Sequence, residues 1–298
     1  MSLCVFDLDS TLGDFRVVDY FGLLLDPKCI LGFPDIPKET LDTLKNAIDS
    51  YDSETKAQLL YIRDSFEKAM EKYNHAILRP KLQSILAPLV KEYKKKKVQG
   101  FIIYSNNANL YSLEYAGRAI ERMFKTPKLF LKYIDRRNSI RNQHDGAPEG
   151  NRLKTVNTIK KAAPEATKIL FMDDLEHEDL LNSPNVTYIH VPSYICPLTN
   201  DILDDIWDIF IQILEDSNFK DEFMDLYHIK TYLHCNSLED MKGKYIRYSH
   251  SIEPNIFHEN MTMIKNKIAQ FIGSKGGKTR RFKRSRKNAY KQKHAYSE

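Results

Sequence analysis

The chain lacks any apolar run approaching the roughly 20 residues needed to cross a bilayer, so a membrane-spanning helix is not expected. Cysteine is scarce. Cys4, Cys29, Cys196 and Cys235 are far apart and form no CxxC pair, which speaks against a zinc ribbon and for a reducing compartment. None of them stands in an HCxxxxxR phosphate loop, which argues against a cysteine nucleophile. A strand already fills the first ten residues and leaves no room for a removable signal peptide, so the expected location is intracellular, cytoplasm or nucleus. The glycine-rich Gly273-Ser274-Lys275-Gly276-Gly277-Lys278 is no Walker motif, because its spacing is wrong and no suitable apolar strand feeds it. Excess positive charge is also missing from most of the chain. Residues 274–298 hold ten Lys or Arg and one acid, leaving 35 basic against 39 acidic residues elsewhere, although the whole carries +5.

What is present fits a globular protein. With 298 residues, 42% hydrophobic and 29% charged, the chain can bury one substantial core and carry an insertion. The most informative stretch is Val5-Phe6-Asp7-Leu8-Asp9-Ser10-Thr11-Leu12. Residues two apart on a strand share a face, so Asp7 and Asp9 are expected to converge at a strand end. Paired carboxylates suit nucleophilic attack followed by acid and base catalysis, and they suit Mg²⁺, which prefers hard oxygen ligands. Taken alone, the same pattern also describes helix caps and turns.

Three later segments bear on the choice. Phe101-Ile102-Ile103-Tyr104 reads as a buried strand that opens into Ser105-Asn106-Asn107. Ligands of open parallel sheets bind at that end, so Ser105 is a candidate phosphate donor, helped by the backbone N–H groups of Asn106 and Asn107; an ordinary helix cap is the alternative. Lys154 is placed near the front of a helix that ends around Lys161, where it could neutralise phosphate and keep a nucleophilic carboxylate ionised. Lys160 and Lys161 compete for that role. Lys168-Ile169-Leu170-Phe171-Met172 is a second buried strand, ending in Asp173-Asp174. Two adjacent acids there are costly to desolvate without a cation or donors. Glu176, Glu178 and Asp179 read instead as the solvated first turn of a helix.

In this order Asp7-Leu8-Asp9-Ser10-Thr11, Ser105, Lys154 and Asp173-Asp174 resemble the four motifs of the haloacid dehalogenase superfamily. Leu78-Arg79-Pro80-Lys81-Leu82, leading through a helix into Phe101-Ile102-Ile103-Tyr104-Ser105, resembles the "RPGL … lftas" segment of its FCP/SCP, or NLI-interacting-factor-like, phosphatases of the polymerase C-terminal domain. The likeness covers residues 1–15 and 78–195. Asp173-Asp174 departs from the Asp-Asn of that family toward the general superfamily form. The resemblance implies a Mg²⁺-dependent phosphatase with an aspartyl-phosphate intermediate. It makes Asp7 the nucleophile and Asp9 the acid and base. Thr11, Ser105, Asn106 and Lys154 would serve the phosphate side, with Thr11 fixing the loop through hydrogen bonds. Mg²⁺ would be held by Asp7, Asp9 through its carbonyl, Asp173 and Asp174. A phosphoserine protein is the first expected substrate; a nucleic-acid end, a small phosphorylated molecule and a non-catalytic binding role are the alternatives.

The expected fold is α/β, with a Rossmann-like parallel sheet, a helical insertion after the first strand and a helical C-terminal extension. Residues 1–198 form the phosphatase domain, with the insert at about 20–76. In the insert Leu41, Leu44, Ala47 and Ile48, then Leu59, Ile62, Phe66 and Met70, keep helical spacing on either side of Asp52-Ser53. This hairpin either caps the site or packs to one side. Further strands are read at residues 128–134 and 185–191; a structural role is assigned to His190 and surface positions to Lys94–Lys97 and Arg136-Arg137. Residues 142–151 are a loop by composition. Residues 199–272 are helical without a chemical motif. Residues 273–298 are a disordered basic tail suited to nucleic acid, similar to basic tails on many proteins of large DNA viruses.

Overall fold

A computed structural model describes residues 1–32, 37–142, 153–196, 198–250 and 261–273. The loop expected at residues 142–151 therefore lies outside the described residues except for Asn142, and so does the basic tail beyond Gly273.

Five strands, β1 (Ser2–Phe6), β2 (Val98–Tyr104), β3 (Phe130–Ile134), β4 (Lys168–Asp173) and β5 (Val186–His190), form one all-parallel sheet in the order β3-β2-β1-β4-β5. The fold is α/β, as expected. From β1 the chain winds outward through β2 to β3, then crosses back to β4 on the opposite side of β1. That reversal opens a crevice at the carboxyl ends of β1 and β4, the place where such sheets bind ligands.

Strand alternation divides the core into two layers. Leu3, Val5, Ile102, Tyr104, Ile169 and Phe171 face Ile159 and Leu180 of the helices Val156–Ala162 and Glu178–Leu181. Cys4, Phe6, Phe101, Ile103, Leu170 and Met172 face the larger helical layer. Both faces are covered, and this explains the near-continuous apolar runs in β1, β2 and β4.

The insertion comprises the helices Arg16–Leu25, Lys38–Asp49 and Ser53–Ala69. Asp52 caps the last of them by accepting the Thr55 N–H at 2.7 Å, so the break read at Asp52-Ser53 is a helix start. The second and third helices of the insert pack against its own first helix and against the C-terminal helical segments. Phe66 lies 4.2 Å from Phe21 between ring centroids and 6.0 Å from Phe210, while the Tyr51 hydroxyl meets His228 Nδ1 at 2.8 Å. Among the described residues, no hydrogen bond or ion pair joins residues 38–74 to Asp7, Asp9, Lys154, Asp173 or Asp174. The C-terminal helix Asn200–Asp216, capped by Thr199, buries Leu203, Ile206, Trp207, Phe210 and Leu214 in the same layer. Leu238–Ser249 adds Tyr245, whose ring stacks 5.8 Å from Trp207. No helix among the described residues is long and apolar enough to cross a membrane.

Candidate active site

The register fixes where the site forms. Pairing of Phe6 with both Ile103 and Met172 sets Asp7 level with Asp173, and Leu8 level with Ser105. Three adjacent strand ends thus deliver the candidate residues to one edge of the sheet. β1 itself stops at Phe6, so simple strand alternation does not bring Asp9 beside Asp7. A tight turn does. Leu12 N–H donates to the Leu8 carbonyl at 2.9 Å, Ser10 N–H to the Gly13 carbonyl at 2.8 Å, and Ser10 adopts φ 59°, a left-handed conformation uncommon for a residue with a side chain.

The turn is held from outside by Arg79. Its guanidinium is buried and donates to three carbonyls: Nε to Thr11 at 2.6 Å, and Nη2 to Ser10 and Pro192 at 2.5 Å each. Glycine is required beneath it. A Cβ on Gly13 would stand 2.4 Å from the Ile77 carbonyl oxygen, because Gly13 and Leu78 pair as an isolated antiparallel bridge.

Lys154 lies in the loop before Thr155, the N-cap of Val156–Ala162, rather than inside the helix front where the sequence pattern put it. It is 1% exposed, and Nζ donates to Asp7 Oδ1 at 2.5 Å and to Asp173 Oδ2 at 2.7 Å. The competing Lys160 and Lys161 are exposed at the other end of that helix. Burial alone would favour a neutral Lys154, but Asp7 and Asp173 override it and raise its pKa. Asp7 is pushed up to about 7 by burial, Lys154 working against this and Asp173 adding to it. For Asp173, burial is outweighed by His177 and Lys154, and its pKa is lowered. The Lys154 bond carries most of that: His177 Nε2 stands 3.2 Å from Asp173 Oδ2 without hydrogen-bond alignment.

Thr11 ties the two acidic loops together. Its hydroxyl accepts the Asp174 N–H at 2.9 Å and donates to Asp174 Oδ1 at 3.2 Å. The single hydroxyl proton is thereby committed, which suits the loop-fixing role expected of Thr11 and leaves it no donor for a phosphate. Asp174 is raised by burial and by Asp173. Ser105 is buried; its Oγ accepts the Asn107 N–H at 3.1 Å, leaving its O–H to donate. The Asn106 side chain turns away to accept from Arg141 Nη2 at 2.6 Å, and Arg141 Nη1 also donates to the Ser105 carbonyl at 2.8 Å. Asp9 is raised well above the ordinary carboxylate range, first by burial, then by Asp19 and Asp7, against a hydrogen bond from Asn107.

Asp7, Asp173 and Asp174 each offer an oxygen within 4.8 Å of the others. The donor set fits Mg²⁺: all the ligands are hard oxygens, the Asp9 carbonyl accepts no hydrogen bond among the described residues, and Lys154 pairs with Asp7 and Asp173 of the three clustered carboxylates. Of the flanking residues, Glu176, Glu178 and Asp179 are exposed around Glu178–Leu181, and Asp179 accepts the Val156 N–H at 2.6 Å. His190 is exposed beside the Asp174 carbonyl, 2.9 Å from its Nε2. Lys94 to Lys97 are exposed, Lys95 and Lys97 pairing with Glu92, and Arg137 pairs with Asp135.

Three residues at the site escape a reading by motif, Asn107 through its side chain, Asp19 and His177, while Arg79 stands in the Leu78-Arg79-Pro80-Lys81-Leu82 segment with no role read for it. Asp19 alone carried a usable signal, an acid inside the run Val17-Val18-Asp19-Tyr20-Phe21, all of it buried. Comparison of the chain with family models, curated proteins and solved structures finds no match.

Proposed function

We propose that the chain is a Mg²⁺-dependent phosphomonoester hydrolase of the haloacid dehalogenase type. The observation that carries the reading is the convergence of Asp7, Asp173, Asp174 and the buried Lys154 at the switch point of a parallel sheet, with Asp9 on the adjoining turn. An Asp7 oxygen attacks phosphorus, and the bond to the leaving oxygen breaks as Asp9 gives that oxygen its proton. In the second half, the Asp9 carboxylate takes a proton from water, which attacks the aspartyl phosphate and releases inorganic phosphate with Asp7 restored. Lys154 and the Ser105 O–H stabilise the transferring charge. Mg²⁺, held by Asp7, Asp173, Asp174 and the Asp9 carbonyl, would supply further neutralisation of the phosphoryl oxygens.

A phosphoserine peptide is the proposed substrate class. The third helix of the insert packs on Phe21 of its first helix and on Phe210 of the C-terminal extension, and no hydrogen bond or ion pair among the described residues joins residues 38–74 to the candidate residues, which favours an open site over one closed around a small molecule. Four buried free thiols accord with an intracellular setting. The test is Mg²⁺-dependent release of phosphate from an aryl phosphate, a phosphoserine heptad peptide and a 3′-phosphorylated oligonucleotide. Turnover of the aryl and peptide substrates is expected, preference for the oligonucleotide would reassign the substrate, and no release from any would overturn catalysis in favour of a binding role.

A further inference from the structure

Asn107 stands between two carboxylates. Its Nδ2 donates to Asp9 Oδ2 at 3.1 Å and to Asp19 Oδ1 and Oδ2 at 3.1 and 3.2 Å. Its Oδ1 accepts the Asn109 N–H at 2.7 Å. This last bond decides which end of the amide is oxygen, so both N–H groups of Nδ2 are directed at the acids. Asp19 is held in turn. Ser112 Oγ donates to Asp19 Oδ1 at 2.5 Å, and Asn109 Nδ2 donates to the Asp19 carbonyl at 2.8 Å. Asp19, Asn109 and Ser112 are all buried. Three elements, the helix Arg16–Leu25, the loop at 105–109 and the helix Leu110–Phe124, therefore fix one amide in place.

Asp9 needs such a fixture. It lies on a turn, half-buried, and its other oxygen, Oδ1, accepts no hydrogen bond among the described residues. An acid that must meet a leaving oxygen within hydrogen-bond reach works only if its rotamer is locked by surrounding groups. We propose that Asn107 is the positioning residue of Asp9: it holds Oδ2 so that Oδ1 is presented to the leaving group, and Asp19 is the anchor that keeps the amide from rotating. The assignment rests on the acid and base role proposed for Asp9.

A misplaced acid matters most where the leaving group needs a proton, so the readout is the dependence of rate on the leaving group. In the full-length protein with Mg²⁺, Asn107→Ala should slow hydrolysis of phenyl phosphate by about 100-fold but of p-nitrophenyl phosphate by about 10-fold or less, since a positioned acid contributes roughly 10²–10⁴-fold where it is needed. In an Asp9→Asn background the same substitution should add no leaving-group-dependent loss, because the group it positions is gone. Equal losses on both substrates, or a full further loss in Asp9→Asn, would overturn the assignment and leave the phosphatase reading standing. Where Asn107→Ala fails to fold, Asp19→Asn carries the test: it turns an acceptor facing Nδ2 into a donor and should steepen the leaving-group dependence in the same sense. A wild-type protein that releases phosphate from neither aryl phosphate, nor from the phosphoserine peptide, nor from the oligonucleotide would overturn the phosphatase reading and the Asn107 assignment together.

Discussion

Asp7→Asn should remove activity and at the same time stabilise the metal-free protein at alkaline pH. Asp7 is nearly fully buried, and its carboxyl is displaced from an ordinary 3.8 to about 7. A raised carboxylate contributes stability that is fully present below the unfolded pKa and is lost as pH rises through the folded one. The window is therefore about pH 4 to 7, with the loss complete above it. A displacement of about three pH units corresponds to roughly 4 kcal/mol at most, and coupling to the neighbouring carboxylates makes the expected loss smaller. Asparagine resembles the protonated form at every pH and keeps an oxygen for Lys154. In urea unfolding with a chelator present, the variant should match the wild type near pH 5 and exceed it by about 2 kcal/mol at pH 8.5. Added Mg²⁺ should close the gap by stabilising the wild type more. A difference independent of pH, or one that favours the wild type increasingly as pH rises, would refute the account of why Asp7 is perturbed.

Other expectations follow from neighbouring contacts. Asp173→Ala should raise the Mg²⁺ concentration needed for activity more than Asp174→Ala, a comparison read from metal titrations of both variants. Arg79→Met should destabilise the fold by about 3–5 kcal/mol in urea unfolding, the usual consequence of removing a buried charged donor from its acceptors, and Arg79→Lys should recover only part, since an ammonium cannot span three carbonyls in a plane. Deleting residues 274–298 should abolish binding to polyanions and leave aryl phosphate turnover intact; if about five cations engage phosphates, log affinity of the full chain should fall with log salt at a slope of about −3.5 to −4.5.

Much of this architecture is legible in the sequence because the three central strands are buried on both faces. Phe101-Ile102-Ile103-Tyr104 and Ile169-Leu170-Phe171-Met172 are unbroken apolar runs ending in polar groups, a pattern that marks both a strand and the mouth of a site. The hairpin of the insert is legible through the spacing of its apolar residues on either side of Asp52-Ser53. Hydrogen bonds to backbone leave no such trace. Arg79 binds carbonyls, which every residue possesses, so no spacing reveals its partners. Lys154 is misplaced by one element end because a lysine before a cap and a lysine after it look alike in a helical pattern. The Asn107 side chain depends on Asp19 arriving from the helix Arg16–Leu25, and that meeting exists only in three dimensions.

The short antiparallel contact at the foot of the nucleophile turn has a consequence for how the insertion is held. Gly13 pairs with Leu78, the Asp14 N–H donates to the Ile77 carbonyl at 2.8 Å and the Arg79 N–H to the Leu12 carbonyl at 2.8 Å, so the chain leaves the turn and returns to it through one neck. Everything between is an excursion closed at its base. Closing a loop costs only about 0.6 kcal/mol more for each doubling of its length, so the length of the excursion adds little to the cost of forming the neck, and its hold on the rest of the molecule lies in the packing of Leu44, Ile62 and Phe66. The neck closes the excursion at the base of the nucleophile turn, while Asp19, on its first helix, stays tied to the site through Asn107.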